Sequence, residues 1–266
     1  MPNENNSSSW MTIRVGRGTL SFALSGTLGA VDFEPYVVKS GVSTAANLRE
    51  AFKNSRLLCM DVPRARVMID SDVLVVPIEK FKESDMAQLY HFTYPGTENE
   101  QVYYNVLPDL NAVALFAVNK DLQLVLNDHY RSVKLLAASS PVWRYLHQRS
   151  YTGSRNKLFG YFHEQQLNVL CFQQNRFKFC NSFSVKHSHD ALYFLLYVWK
   201  QLRLQPQFDE LHLVGDIDTP EWLQSELRKY LHKVFVISPA VDFNQVPATQ
   251  VAGMPYDMMT LFVKGR

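Results

Sequence analysis

No basic stripe, no long apolar run and no paired cysteines mark this 266-residue chain, and each absence removes a class of function. Lysine and arginine number 27 against 25 aspartates and glutamates, spread along the sequence, so the concentrated charge of a nucleic-acid binder is missing. The longest apolar run, 191–199, is too short for a bilayer, which needs about 20 residues, so no membrane span is expected. The opening MPNENNSSSW has neither the basic start nor the apolar centre of a signal peptide. Residues 1–11 therefore read as a solvated tail on a cytoplasmic protein. Cys59, Cys171 and Cys180 are odd in number and lack the spacing of a metal site. Cys171 and Cys180 could face each other across one hairpin, although packing thiols in a reducing cytoplasm are the simpler reading. There is no Walker A loop, no GxGxxG and no strand–Gly-x-Ser-x-Gly–helix elbow.

What is present is a core: 47% of residues are apolar and 13% aromatic, on a length that suits one two-lobed domain or two small ones. The stretch 157–237 organises the rest. It reads as three strands (LFGYF, LNVLCF, FKFCNSFSV), a long apolar helix (HDALYFLLYVWKQL), a strand (ELHLV), a helix and a last strand (KVFVI). Phe177, Phe179, Phe183 and Val185 alternate with Lys178, Cys180, Ser182 and Ser184, the period of a half-buried strand. The period then switches, with Leu192, Leu195, Leu196, Trp199 and Leu202 on one helical face. Thr219-Pro220-Glu221 starts the next helix, its hydroxyl placed to cap and its carboxylate suited to the positive end of the dipole. Beyond 238 only a strand at 259–263 is legible.

The earlier half repeats that order. Strands are expected at 12–15 and 19–25 around Gly16-Arg17-Gly18, whose glycines supply the positive φ of a tight turn. A third strand follows at 35–39, then a helix capped by Ser43. Strands at 65–69 and 73–78 come next, the latter reading VLVV as if buried on both faces. A short helix is expected over 84–90, strands at 101–106 and 111–118, a helix capped by Asn119, a strand at 132–137 and a helix opened by Ser140-Pro141. The boundary falls at 153, giving a first lobe over 12–153 and a second over 154–266.

Hairpin, strand, helix, strand, helix, strand, used twice from about Thr12 to Ile237, resembles the actin-like ATPase superfamily. The passage AVALFAVNKDLQLVLNDHYRSVKLLAASSPVWRYL is similar in texture to pilus-assembly and cell-division members. The opening MTIRVGRGTLSFALSG resembles an uncharacterised Bacteroidetes family of that superfamily. The resemblance implies an α/β, duplicated, ribonuclease H-like two-lobed fold with mixed sheets. It also implies that ATP phosphates sit at each lobe's first hairpin, where an Asp handles metal or water, a Gly admits the backbone and a Ser or Thr donates. Here the first lobe matches with Arg14, Gly16 and Thr19, so the acid has become a base. The second offers Tyr161, His163 and Leu167. The adenosine loop is Leu213-Val214-Gly215-Asp216-Ile217-Asp218, with only Gly215 kept.

These replacements argue against hydrolysis. A phosphate cradle needs close backbone N–H groups that β-carbons obstruct. A carboxylate at Asp216 facing a triphosphate would repel it by about 4 kcal/mol at roughly 4 Å and an effective dielectric of about 20. The expectation is a non-catalytic protein, without cofactor or metal, acting on an unidentified protein partner. The alternative is weak ATP and magnesium binding between the lobes, with Arg14, Arg17, Gly18 and Thr19 meeting phosphate directly. Elsewhere, His187-x-His189 lacks further metal ligands at convincing spacing, and His163 and Glu164, adjacent on a strand, point to opposite faces. The aromatic cluster Tyr90, Phe92, Tyr94, Tyr103 and Tyr104 is either core beneath a loop or a protein-binding patch. Oligomeric state is not legible.

Overall fold

A computed structural model describes residues 10–26, 30–153, 155–243 and 246–264. The chain divides into two compact units: one runs to Ser140 and takes up Val246–Val263, the other holds the residues from Pro141 to 245. The expected boundary at 153 assigned the C-terminal segment to the second lobe, whereas that segment packs in the first.

In the first unit β1 (Met11–Val15) pairs antiparallel with β2 (Leu20–Ser25), and β2 with β3 (Val31–Tyr36). On its other side β1 takes parallel β4 (Arg64–Ile69), which carries parallel β8 (Ser132–Ala137), for a sheet ordered β3-β2-β1-β4-β8. Strand alternation divides β1. Met11, Ile13 and Val15 enter the core that holds α1 (Thr44–Asn54) and α3 (Lys120–His129). Thr12 and Arg14 take the opposite face, beside Ala23 and Ser21 of β2. There Ala23 and Met68 pack with Met254 and with Met258 of α8 (Tyr256–Lys264). The two caps expected in this unit form: Ser43 Oγ accepts from the Ala46 N–H at 3.2 Å, and Asn119 Oδ1 from Asp121 and Leu122 at 3.0 and 3.1 Å.

Between β4 and α3 the chain inserts β5 (Val73–Pro77), α2 (Met86–Thr93), β6 (Glu100–Leu107) and β7 (Ala112–Asn119), forming an antiparallel sheet ordered β5-β7-β6. β7 is buried on both faces: Phe116 and Val118 join the α1–α3 core, while Val113, Leu115 and Ala117 pack with Tyr90 and Val76. β5, expected to be covered on both faces, is instead a half-exposed edge strand. Asn105 stitches the insertion to the main sheet, donating to the Leu135 carbonyl at 3.1 Å and accepting from the Ala137 N–H at 2.9 Å.

The second unit repeats the main sheet. β9 (Lys157–His163), β10 (Gln166–Gln173), β11 (Arg176–Ser184), β12 (Glu210–Gly215) and β13 (Val234–Val236) are ordered β11-β10-β9-β12-β13. Leu158, Leu167 and Leu213 pack with α5 (Ser188–Gln201) and α6 (Pro220–Arg228). On the other face His147 of α4 (Ser139–Ser150) stacks on Phe172 at 5.3 Å. Asp242, ending α7 (Pro239–Asp242), pairs with Arg149 of α4 and accepts from the Tyr145 hydroxyl. Both hairpins close on two residues of positive φ, Glu164-Gln165 and Gln174-Asn175, the dihedral signature of type I′ turns.

Several expectations are corrected. The third strand covers 31–36, not 35–39; Pro35 is tolerated because β3 is an edge. The 84–90 helix lies at 86–93. The terminal strand expected at 259–263 is helix α8: its apolar run is too short for periodicity to decide, and Pro255 just ahead of it was the overlooked start signal. Thr219 does not cap; its hydroxyl meets Ser188 Oγ at 2.6 Å. Gly18 avoids the left-handed region, and a Cβ there would touch nothing within 4 Å, so the β1–β2 turn does not require it. Cys171 pairs with Phe179, and Cys180 with Leu170, so the two thiols sit one register apart and remain free.

His212 on β12 stacks between Phe159 and Phe235, both at 5.0 Å, and bonds Glu210 at 3.1 Å. Burial lowers its pKa below 6.5 despite the opposing pull of Glu210, with Lys157 and Arg149 adding to the lowering. The folded state therefore resists a proton that the unfolded chain accepts. The resulting stability is complete above about pH 6.5 and is lost as pH falls through the depressed folded value. Urea midpoints measured from pH 7.5 to 5 should fall in the native chain and fall less in His212→Phe.

Candidate functional site

The β1–β2 turn is closed by the Gly16 N–H donating to the Thr19 carbonyl at 2.8 Å. Arg14, next to last on β1, is only 2% exposed. Its Nε donates to both carboxylate oxygens of Asp257, at 2.9 and 2.8 Å, and Nη1 donates to Thr19 Oγ1 at 3.0 Å. Its Nη2 lies 3.9 Å from Asp70, which follows β4. Asp257 is itself 1% exposed and comes from the first turn of α8. Arg17 sits outside this core, 2.6 Å from Asp72 and 3.7 Å from Asp70. Two guanidiniums thus meet three carboxylates.

The resemblance implies that phosphate approaches at this turn, and these groups do not suit one. Arg14 spends its hydrogen bonds on Asp257 and Thr19, and freeing it would strand a buried carboxylate. An arriving triphosphate would meet Asp70 and Asp72 as well. No cluster of three or more histidine, cysteine or acidic groups able to hold a metal exists among the described residues.

The second unit departs further. Tyr161 is buried and stacks on His163 at 4.6 Å, and Leu167 is in the α5–α6 core. The I′ turn at Glu164-Gln165 leaves no loop in which successive N–H groups could wrap an anion. Gly215 is retained for a reason of shape. It has φ +97°, and a Cβ there would lie 2.1 Å from the Phe162 carbonyl oxygen, while the neighbouring Asp216 N–H donates to that same oxygen at 2.9 Å. A cavity of about 310 Å³ opens beside this strand end, lined by His163, Glu164, Lys186, His187, Asp216 and Asp218 among others. Asp190 accepts from the His187 and Lys186 N–H groups, both at 3.0 Å, which holds its pKa low. Burial pushes the Cys171 and Cys180 thiols up to about 12, so neither is a ready thiolate.

The aromatic cluster divides. Tyr90 is buried, its hydroxyl donating to the Asp72 carbonyl at 2.8 Å, and Tyr94 does the same to Val73 at 3.1 Å, so both tie α2 to the β5 edge. Tyr103 packs on Phe116 at 6.2 Å and Tyr104 on Phe81 at 4.9 Å. Phe92 is 84% exposed. Sequence reasoning missed Asp70, Asp72 and Asp257 as site residues; the first two fall in the short turn-forming Asp-Ser-Asp link between β4 and β5, and the third lies 243 residues from its partner.

Two sheets of identical strand order, each an antiparallel hairpin plus third strand with two parallel strands added, define the actin-like ATPase fold, and the solved structures agree. A Bacteroides thetaiotaomicron protein with actin-like ATPase fold and unknown function is 28% identical, covers 98% of each chain and superposes with a TM-score of 0.85. The PilM–PilN type IV pilus biogenesis complex contributes a chain of the same fold at 12% identity and TM-score 0.54, over 96% of this chain and 97% of that one. Residues 2–234 match the protein family of unknown function DUF3822, and the chain belongs to that family. No curated protein matches it in sequence.

Removing the Arg14 guanidinium should be severe. Arg14→Met strands the Asp257 charge and is expected to cost about 3–5 kcal/mol in denaturant unfolding, whereas Arg14→Met with Asp257→Leu should recover most of that. Gly215→Ala combines a left-handed backbone with a clash and is expected to cost about 2–5 kcal/mol in the same assay, with no nucleotide present.

Proposed function

We propose that this DUF3822 chain is a non-catalytic, cytoplasmic member of the actin-like fold that works as a partner-binding or scaffold module. The observation that carries the reading is the buried Arg14–Asp257 pair, at the residue that the resemblance sets against the metal-linked acid of the fold's enzymes. Phosphoryl transfer depends on positioning and on neutralising charge during the transfer, and three carboxylates around two arginines supply neither. Without that chemistry, what the two compact units offer is surface. The pilus relative PilM is itself seen in complex with a second protein, PilN, so the fold is compatible with such a role.

The test is nucleotide binding by the full-length chain. A ligand at 100 times its Kd stabilises by about 2.7 kcal/mol, which for a chain of this size raises Tm by about 5 °C or more. Millimolar Mg-ATP is expected to shift Tm by less than about 1 °C and to be turned over no faster than background. Magnesium-dependent turnover that Arg14→Glu abolishes in a still-folded chain would overturn the reading.

A further inference from the structure

The main sheet of the first unit has a second charged place, at the end away from the β1–β2 turn. β4 and β8 turn Ala65, Val67, Val133 and Leu135 into the α1–α3 core, so alternation puts Arg64, Arg66 and Lys134 on the other face. Arg66, half-buried, and Lys134, exposed, are Cα partners on neighbouring parallel strands, which lie about 4.8 Å apart. Like charges set directly opposite each other destabilise a sheet. Trp10, just ahead of β1, steadies the arginines: its ring centroid lies 5.0 Å from Arg64 Cζ and 5.9 Å from Arg66 Cζ. Such contacts hold a guanidinium but bring no carboxylate to it.

The sheet itself supplies no acid to this face. β1, β2, β4 and β8 contain none. On β3, Val31 and Phe33 face α8, so Asp32 and Glu34 turn to the opposite side, where Glu34 accepts from the Leu57 N–H at 3.0 Å. The one acid of α8 is Asp257, and Arg14 takes it. Asp61, in the link leading into β4, and Asp128, in the last turn of α3, are exposed, and their segments pack on the α1–α3 side through Val62 and Leu126. Among the described residues no ion pair joins Arg66 or Lys134 to a carboxylate. Burial lowers the Arg66 pKa, with no carboxylate opposing the shift.

We propose that this face docks an acidic segment of a partner protein, whose separate carboxylates meet Arg66 and Lys134. The two charges stand apart: Arg66 reaches toward Trp10 on the β1 side, and Lys134 lies beyond it on β8. Carboxylates spaced along a chain therefore suit them better than one compact dianion. The cations are too few for a nucleic-acid backbone, which calls for a basic stripe, or for an anionic membrane, which draws clusters of about 4–8. A second copy would bring the same sign of charge to the contact.

Docking here rests on the partner-binding reading above, and the two fail separately. The full-length chain carrying a photo-cross-linking phenylalanine at Ser132, the exposed Cα partner of Arg64, is irradiated in its native cells. The cross-linked segment is sequenced, synthesised and titrated against the full-length chain. The expected segment carries two or more carboxylates and binds more weakly as salt rises. Lys134→Glu should weaken it at least tenfold, with recovery when one carboxylate of the segment becomes lysine. The same variant should raise the urea midpoint, because it turns a like pair with Arg66 into an opposite one; a lysine kept for folding would give a lower midpoint. A segment without carboxylates, a cross-link to a second copy, a lipid or nucleic acid, no cross-link, salt-insensitive binding, reversal without recovery, or a lowered midpoint would each overturn the proposal. Any of these beside a flat nucleotide titration leaves the scaffold reading intact, whereas saturable ATP binding removes that reading without touching the cross-link.

Discussion

A guanidinium sealed at the end of a strand must be neutralised by the protein itself, because water cannot reach it, and that demand shapes the first unit. An unpaired buried charge costs several kcal/mol. Arg14 is tolerated on β1 because α8 delivers Asp257 to within 2.9 Å of its Nε. The same helix seats Met258 against the sheet, where Ser21 Oγ donates to its sulfur at 3.4 Å. Chain path and electrostatics are thus one problem: the C-terminal segment packs with the first unit, and the arginine is one reason it must. A hydrophobic pair of similar volume would supply most of the same stability, so the pair adds little net stability of its own.

The second unit solves its corresponding place differently. Tyr161 on β9, which the resemblance sets against Arg14 of β1, is aromatic and stacks on His163, and its hairpin closes on a two-residue turn where the first has a four-residue loop. Each unit keeps the strand order while its first hairpin has changed for its own local reasons. Gly215 illustrates the point. As a remnant of a nucleotide loop it suggests ligand chemistry, yet a carbonyl 2.1 Å from where its Cβ would stand explains it without any ligand.

Much of this architecture was legible in the sequence, and the illegible part has a physical pattern. The helical face of α5 and the caps at Ser43 and Asn119 are local signals, and each is seen in place; the alternation of β11 puts Phe179, Phe183 and Val185 in one core, but a register shift sets Phe177 apart, against Phe172. The duplicated order of elements followed from them. What failed was long-range or ambiguous. MMTLFV reads equally as strand or helix until its Met258 is seen against β2. VLVV of β5 reads as a buried strand, but β7 takes the central position because its AVALFAV run supplies apolar side chains to both faces. In the candidate site, Arg14 stood out as a base in place of an acid, while Asp257 carried no signal, since only the folded chain brings the two together. The aromatic cluster was legible as a group, although the fold divides it into tyrosines that pin α2 and a phenylalanine left in solvent.

The central claim is that the Arg14 guanidinium is committed internally and stays so when nucleotide is offered. The Nε–H resonance of Arg14, observed by NMR in the full-length chain, tests it most directly. Protected, slowly exchanging and unmoved by millimolar Mg-ATP is the predicted behaviour; a saturable shift with faster exchange, as the side chain leaves Asp257, would contradict it.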